Sequence, residues 1–206
     1  MAEPTSRLGI LLSGRGSNFL AIAENIKSGK LDACEISVVI SNKAGAPGLD
    51  AARARGLNAV AIEACGRNRA EHDAEIIACL REHKVDLVCL AGYMRLLSPE
   101  FIQAFPNRIL NIHPSLLPAF PGLDAQEQAF AYGVQVAGCT VHFVDEQLDH
   151  GVIVLQKTVP VLPGDDAHTL TERILEQEHI AYSEAIARAI SGKYRIVGRR
   201  YLKMES

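Results

Sequence analysis

This sequence predicts an α/β fold: a mostly parallel, twisted sheet with helices on both faces. Three observations carry that expectation. Short, branched, apolar runs alternate with helical runs through the first half of the chain. The hydrophobic content is aliphatic, with 48% hydrophobic residues but only 5% aromatic and no Trp. A turn holding two glycines follows the first strand directly, and ligands of such folds gather at the carboxyl ends of strands.

The strands expected in the first half span residues 8–13, 36–41, 59–63, 86–91 and 108–112, each short and rich in Ile, Leu and Val. Helical patterns fall between them at 18–27, 46–55, 69–82 and 99–104. Ser98-Pro99-Glu100 is a strong helix start, with a capping hydroxyl and a proline in the first turn. The rhythm then changes. A helix is expected at 126–132, two strands at 138–144 and 152–159 joined by an acidic loop, and one long amphipathic helix at 169–190. At 206 residues the chain reads as a single domain, with a flexible N-terminal tail over about residues 1–6 and a basic C-terminal tail or hairpin over about 193–206.

Composition excludes several functions. A net charge of −3 argues against general nucleic-acid binding. No run approaches the roughly 18 apolar residues of a membrane span, and the polar start at Met1–Arg7 is too brief for a signal peptide. Cys34, Cys65, Cys79, Cys89 and Cys139 are odd in number and contain no CxxC, which reads as free thiols in a reducing compartment. A cytoplasmic protein is expected.

Ser13-Gly14-Arg15-Gly16-Ser17-Asn18 is the turn after the first strand. Its glycines let backbone N–H groups approach a ligand, Ser17 or Asn18 can cap the next helix, and a helix N-terminus favours an anion such as phosphate. It is not a dinucleotide fingerprint, because Phe19 stands at the third glycine position, nor a P-loop, because no Gly-Lys-Ser/Thr follows. A plain tight turn needs only one glycine.

Asn111 and His113 lie two apart on one strand and so share a face, where a strand ends before Pro114-Ser115-Leu116-Leu117-Pro118. An amide donor and an imidazole so placed suit oxyanion stabilisation and proton transfer, and Asp149 sits in an acidic loop able to fold over them. The bland alternative is a structural His and a solvated Asp. A metal site is not expected, because His113, His142, Asp149 and His150 lack ligand spacing and His142 reads as alone in a sheet. A serine hydrolase is not expected either, since Gly-x-Ser-x-Gly is absent. Gly92 to Leu97 can line a pocket for a flat heterocycle or serve as a helix-initiating loop. Glu178 falls on the apolar stripe of the long helix, between Ile174 and Tyr182, where a carboxylate is costly unless hydrogen-bonded.

Asn111-Ile112-His113 with Pro114–Pro118, and the loop Asp145-Glu146-Gln147-Leu148-Asp149, resemble the glycinamide ribonucleotide formyltransferases of purine synthesis. The resemblance covers about residues 7–200. It implies a Rossmann-like formyltransferase fold and transfer of a formyl group from 10-formyltetrahydrofolate to the amine of 5′-phosphoribosylglycinamide, with no metal. It implies catalytic roles for Asn111, His113 and Asp149. Gly16, Ser17 and Asn18 would hold the acceptor's phosphate, and Glu178 its ribose hydroxyls. Met94, Arg95, Leu96 and Leu97 would grip the folate ring together with Asp145, Glu146, Gln147 and Leu148. Arg69, before the third helix, matches a family arginine near the phosphoribosyl end and is grouped with the folate set. Small-molecule substrates and a monomer or homodimer complete the expectation.

Two positions depart from the family pattern. Asp124 stands where a His is usual after Pro121-Gly122-Leu123, and His150 stands where Gly is frequent. The nearest alternative is formyltetrahydrofolate deformylase, which passes the formyl group to water. That family has a preceding regulatory domain and His-His-Ser-Phe-Leu-Pro in place of His113–Pro118, and neither is expected here. Formyltransferases acting on methionyl-tRNA or sugar nucleotides are longer and lack the Pro121-Gly122 step. A non-catalytic folate or phosphosugar binder would have no reason to keep Asn111, His113 and Asp149 together.

Overall fold

The computed structural model describes residues 5–205. Residues 1–4 of the expected tail lie outside the described residues, while Ser6, also assigned to that tail, already opens the first strand. Two compact units divide the chain, one up to Leu110 and one from Asn111.

The first unit alternates strand and helix: β1 (Ser6–Leu12), α1 (Ser17–Lys27), β2 (Cys34–Ser41), α2 (Pro47–Arg53), β3 (Ala59–Ala61), α3 (Arg69–Glu82), β4 (Leu87–Leu90) and α4 (Pro99–Ala104), then the start of β5 (Ile109–His113). Strand order is β3-β2-β1-β4-β5, and β1 pairs in parallel with both β2 and β4. The chain therefore leaves β1 towards one neighbour and later returns to its other side. That reversal opens a crevice at the carboxyl ends of β1 and β4. Leu8, Ile10, Leu11 and Leu12 are fully buried, as a strand covered on both faces requires. A Cβ on Gly9 would collide with Leu80 and Val85, so this glycine lets α3 lie close to the sheet. Local signals set the helix starts. The side chains of Asn68 and Ser98 accept hydrogen bonds from Glu71 N and Phe101 N, and Pro99 occupies the first turn of α4.

The second unit contains the rest of β5, then α5 (Ala125–Tyr132), β6 (Val136–Phe143), β7 (Ile153–Pro160), α6 (Ala167–Ile190), β8 (Tyr194–Val197) and β9 (Arg200–Lys203). β6 and β7 are antiparallel, with a register shift between Val141 and His142. β9 adds in parallel to β7 through Ile153 and Arg200, and β8 folds back on β9 as a hairpin. Helix α6 opens with a reciprocal capping box between Asp166 and Thr169 and buries Leu170, Ile174, Glu178, Ala181, Tyr182 and Ala185. The fold is mixed α/β: β1, β2, β3 and β4 of the first unit pair in parallel, and the second unit combines the antiparallel β6–β7 and β8–β9 pairs with the parallel β7–β9 contact.

Candidate active site

In the first unit the turn after β1 forms one wall of a cleft of about 370 Å³, lined by residues 13–18 with Lys43, Gly92 and Met94. Gly16 takes the cap position of α1 in the left-handed region (φ 68°), and Ser17 and Asn18 are the first two helical residues. The expected capping by Ser17 or Asn18 is thus corrected: no side-chain cap occupies this end, and Gly16, Ser17 and Asn18 line the cleft. Gly16 is required by its own backbone angle, and its Cβ would lie 2.9 Å from Leu12 Cδ2. A Cβ on Gly14 would meet no protein atom within 4 Å. Lys43, which follows β2, brings a cation to the cleft beside Arg15. Sequence reasoning missed it, although Ser41-Asn42-Lys43 at the end of a parallel strand was the available signal.

The segment after β4 is tied to the same turn. Ser13 N donates to Gly92 O at 3.0 Å, Met94 N donates to Ser13 Oγ at 2.8 Å, and that hydroxyl donates to Asn42 Oδ1 at 2.6 Å. Met94 and Leu96 are exposed, Arg95 is half-buried and Leu97 is buried. Two large apolar side chains standing in solvent at a strand's carboxyl end suit a ligand-covered surface. Arg69 opens α3 as an exposed side chain rather than belonging to a preceding loop.

Asn111, His113 and Asp149 come together in the second unit. His113, the last residue of β5, is 5% exposed. Its Nε2 lies 2.8 Å from the carbonyl of Phe120, which can only accept, so Nε2 carries hydrogen. Its Nδ1 faces Asp149 Oδ2 at 3.3 Å. The same carboxylate oxygen accepts from Gly122 N at 2.8 Å. Asp149 adopts a left-handed backbone (φ 49°), an uncommon conformation for Asp that turns its side chain back over the strand end.

The structure corrects the view that His142 stands alone in the sheet. Its Nδ1 donates to Phe143 O at 2.8 Å, which leaves Nε2 as an acceptor, and Asn111 Nδ2 lies 3.2 Å from it. The Asn111 amide is therefore oriented, with Nδ2 towards His142 and its second N–H remaining for another acceptor. Burial is the main cause holding His142 below the ordinary histidine value, against the pull of the Phe143 carbonyl and the charge of Asp149. The neutral ring that the Asn111 bond needs is the form burial favours. No linear signal revealed this, since 31 residues separate the partners.

Asp145 is half-buried, whereas Glu146, Gln147 and Leu148 are exposed. Glu178 is buried on α6, and its charge, after burial itself, helps push the Cys139 thiol up to about 12. Asp124 caps α5 in the left-handed region (φ 55°) without a side-chain cap bond. His150 pairs with Asp145, its Nδ1 2.8 Å from Asp145 Oδ2. Among the described residues no group of three or more His, Cys, Asp or Glu is arranged to hold a metal ion, and no helix is long and apolar enough to cross a membrane.

A strand-end amide and imidazole facing a carboxylate, on this scaffold, define a class that known proteins identify: residues 6–186 match the formyl transferase family, and the chain belongs to it. Within that class it belongs with the phosphoribosylglycinamide formyltransferases. The one from Bacillus subtilis (strain 168) is 42% identical over 87% of this chain and 92% of its own length. Among solved structures, glycinamide ribonucleotide transformylase 1 from Symbiobacterium toebii is 49% identical with a TM-score of 0.94, covering 98% of this chain and 95% of that one. Trifunctional purine biosynthetic protein adenosine-3 of Drosophila pseudoobscura pseudoobscura is 44% identical over 96% of this chain, which spans only 15% of that protein's length. A formyltetrahydrofolate deformylase from Pseudomonas syringae, at 24% identity and a TM-score of 0.90, shares the fold.

Proposed function

We propose that the chain works as one formyltransferase domain. It transfers the formyl group of 10-formyltetrahydrofolate to the amine of 5′-phosphoribosylglycinamide, a cytoplasmic step of purine synthesis between small-molecule substrates. The observation that carries this reading is the oriented trio of Asn111, His113 and Asp149. The formyl donor supplies a carbonyl on a weakly basic aryl nitrogen, so attack by a neutral amine calls for stabilised oxyanion charge and a proton path rather than a metal.

The free N–H of Asn111 Nδ2 donates to the developing oxyanion, and His142 keeps that amide from rotating. His113 serves through Nδ1 alone, since Phe120 holds Nε2. Asp149 sets the ring's direction, balances a proton on Nδ1, and can hold a water that carries the amine's proton to the departing nitrogen. Gly16, Ser17 and Asn18 grip the acceptor's phosphate with first-turn N–H groups, aided by Arg15 and Lys43. Glu178 takes the ribose hydroxyls. Residues Met94–Leu97, Asp145–Leu148 and Arg69 serve the folate. The missing Cβ of Gly14, which answers to nothing in the protein itself, supports close approach of a ligand to that turn.

Asn111→Ala and His113→Ala test this reading. With both substrates present, each variant loses about 10²-fold or more in turnover, the usual cost of an oxyanion donor, while circular dichroism and melting temperature stay near the parent's. Near-parental turnover in both returns these residues to structural roles.

A further inference from the structure

The loop from Val144 to Gly151 begins and ends against one element, the β8–β9 hairpin. Its neck is closed by Phe143 N donating to Val152 O at 2.9 Å. At the entry, Tyr201 of β9 packs edge-on against Phe143, with centroids 5.4 Å apart at 76°. At the exit, the hairpin's tip residue Arg199 reaches His150. Its Nη1 lies 3.0 Å from His150 Nε2, and its Nη2 donates to the His150 carbonyl. Guanidinium nitrogens only donate, so His150 Nε2 accepts and Nδ1 carries the hydrogen that binds Asp145 Oδ2. The chain of bonds runs from Arg199 through His150 to Asp145 and brackets the loop.

The hairpin itself is anchored. Tyr194 and Tyr201 stack at 5.1 Å, the Arg188 guanidinium lies 5.9 Å from the Tyr194 centroid, and β9 is paired to β7 at Arg200. Gly198, at φ 59°, makes the two-residue turn that projects Arg199. A fixed platform thus holds a polar clamp on the residue that directly follows Asp149, whose left-handed backbone must be maintained for its carboxylate to reach His113.

Resting on the formyltransferase reading, we propose that Arg199 is a positioning residue for the formyl donor. Acting through His150, it holds the Asp145–Asp149 loop in the conformation that meets the folate and keeps Asp149 on His113. His150, through its ring Nε2 and its carbonyl, is the acceptor that makes the clamp possible.

The test is a set of variants of the whole chain, Arg199→Ala, Arg199→Lys, His150→Gln and His150→Leu, read by steady-state kinetics and hydrogen exchange. Arg199→Ala raises the KM for 10-formyltetrahydrofolate about three- to five-fold, the scale of a partly exposed polar contact, and leaves the acceptor KM unchanged. It also speeds exchange of amides in residues 144–150. A lysine retains one of the two donations and restores part of the effect. His150→Gln, which can still accept from Arg199 and donate to Asp145, stays near the parent, whereas His150→Leu matches Arg199→Ala and adds nothing to it in the double variant. An active parent whose Arg199→Ala form keeps its donor KM and loop exchange overturns the proposal, as does an equal rise in both KM values with a fall in melting temperature. A parent with no formyl transfer overturns the formyltransferase reading instead. In that case the exchange data alone judge the clamp.

Discussion

Asp149→Asn isolates the charge of the proposed catalytic carboxylate while sparing its shape. Both side chains of the pair are nearly excluded from solvent, 6% exposed for His113 and 8% for Asp149. The asparagine carbonyl can keep the bond from Gly122 N, and its amide nitrogen falls where Oδ1 stands, 3.8 Å from His142 Nε2. What disappears is a negative charge 3.3 Å from His113 Nδ1. At that separation a unit-charge interaction amounts to about 1.3 kcal/mol in bulk water and about 5 kcal/mol at an effective dielectric of about 20. At about 1.4 kcal/mol per decade of rate these bounds are about ten-fold and several thousand-fold. A cluster this buried but open to substrate belongs between them, at about 10²- to 10³-fold in kcat. The assay is the initial rate of tetrahydrofolate formation at saturating substrates, with melting temperature as the control for folding. A variant that melts with the parent and loses less than about three-fold in kcat refutes the role given to this charge.

Three further outcomes follow from other parts of the molecule. His142 is held neutral by burial below the ordinary value of 6.5; its contribution is intact above that pH and is lost as pH falls through the lowered native value. His142→Gln, measured by urea unfolding, therefore shows a shallower acid loss below about pH 6.5, and equal slopes contradict the assignment. Gly16→Val forces a branched residue to φ 68° and its Cβ against Leu12; it costs about 1–2 kcal/mol or more in stability and raises the acceptor KM far more than the donor KM, whereas parallel rises disprove a phosphate subsite there. Of the five cysteines only Cys65 is exposed, Cys79 is half-buried, and burial raises Cys34 to about 11 and Cys139 to about 12, so a thiol reagent titrates one fast equivalent in the native protein and all five in denaturant.

Local chemistry explains which features the sequence revealed. Helices α3 and α4 begin where Asn68 and Ser98-Pro99 dictate, because caps act within three residues. The alternation of apolar strand and helix indicated the parallel order around β1, and the two-residue spacing of Asn111 and His113 placed both at the end of β5. Features that depend on long-range pairing were not legible. His142 reads as an ordinary strand residue until β6 lies beside Asn111. His150 reads as an accident until the hairpin brings Arg199 to it from 49 residues away. The left-handed turn at Asp149 had no glycine to announce it, since Gly151 comes two residues later, and the Phe120 carbonyl that fixes the His113 tautomer belongs to a loop without a periodic signal.

The central claim is that this site passes a formyl carbon to an amine and not to water. The direct measurement follows 10-formyltetrahydrofolate carrying an isotopic label in its formyl group, incubated with the protein at increasing phosphoribosylglycinamide, and partitions the label between N-formyl product and formate. Without acceptor, release of formate is very slow. With acceptor, label enters the N-formyl product in step with tetrahydrofolate, and plain glycine, lacking the phosphoribosyl group, does not substitute, because it forgoes the proposed remote phosphate contacts that would hold the amine near the carbonyl. Rapid labelled formate at a rate indifferent to the acceptor contradicts the account and makes the protein a hydrolase.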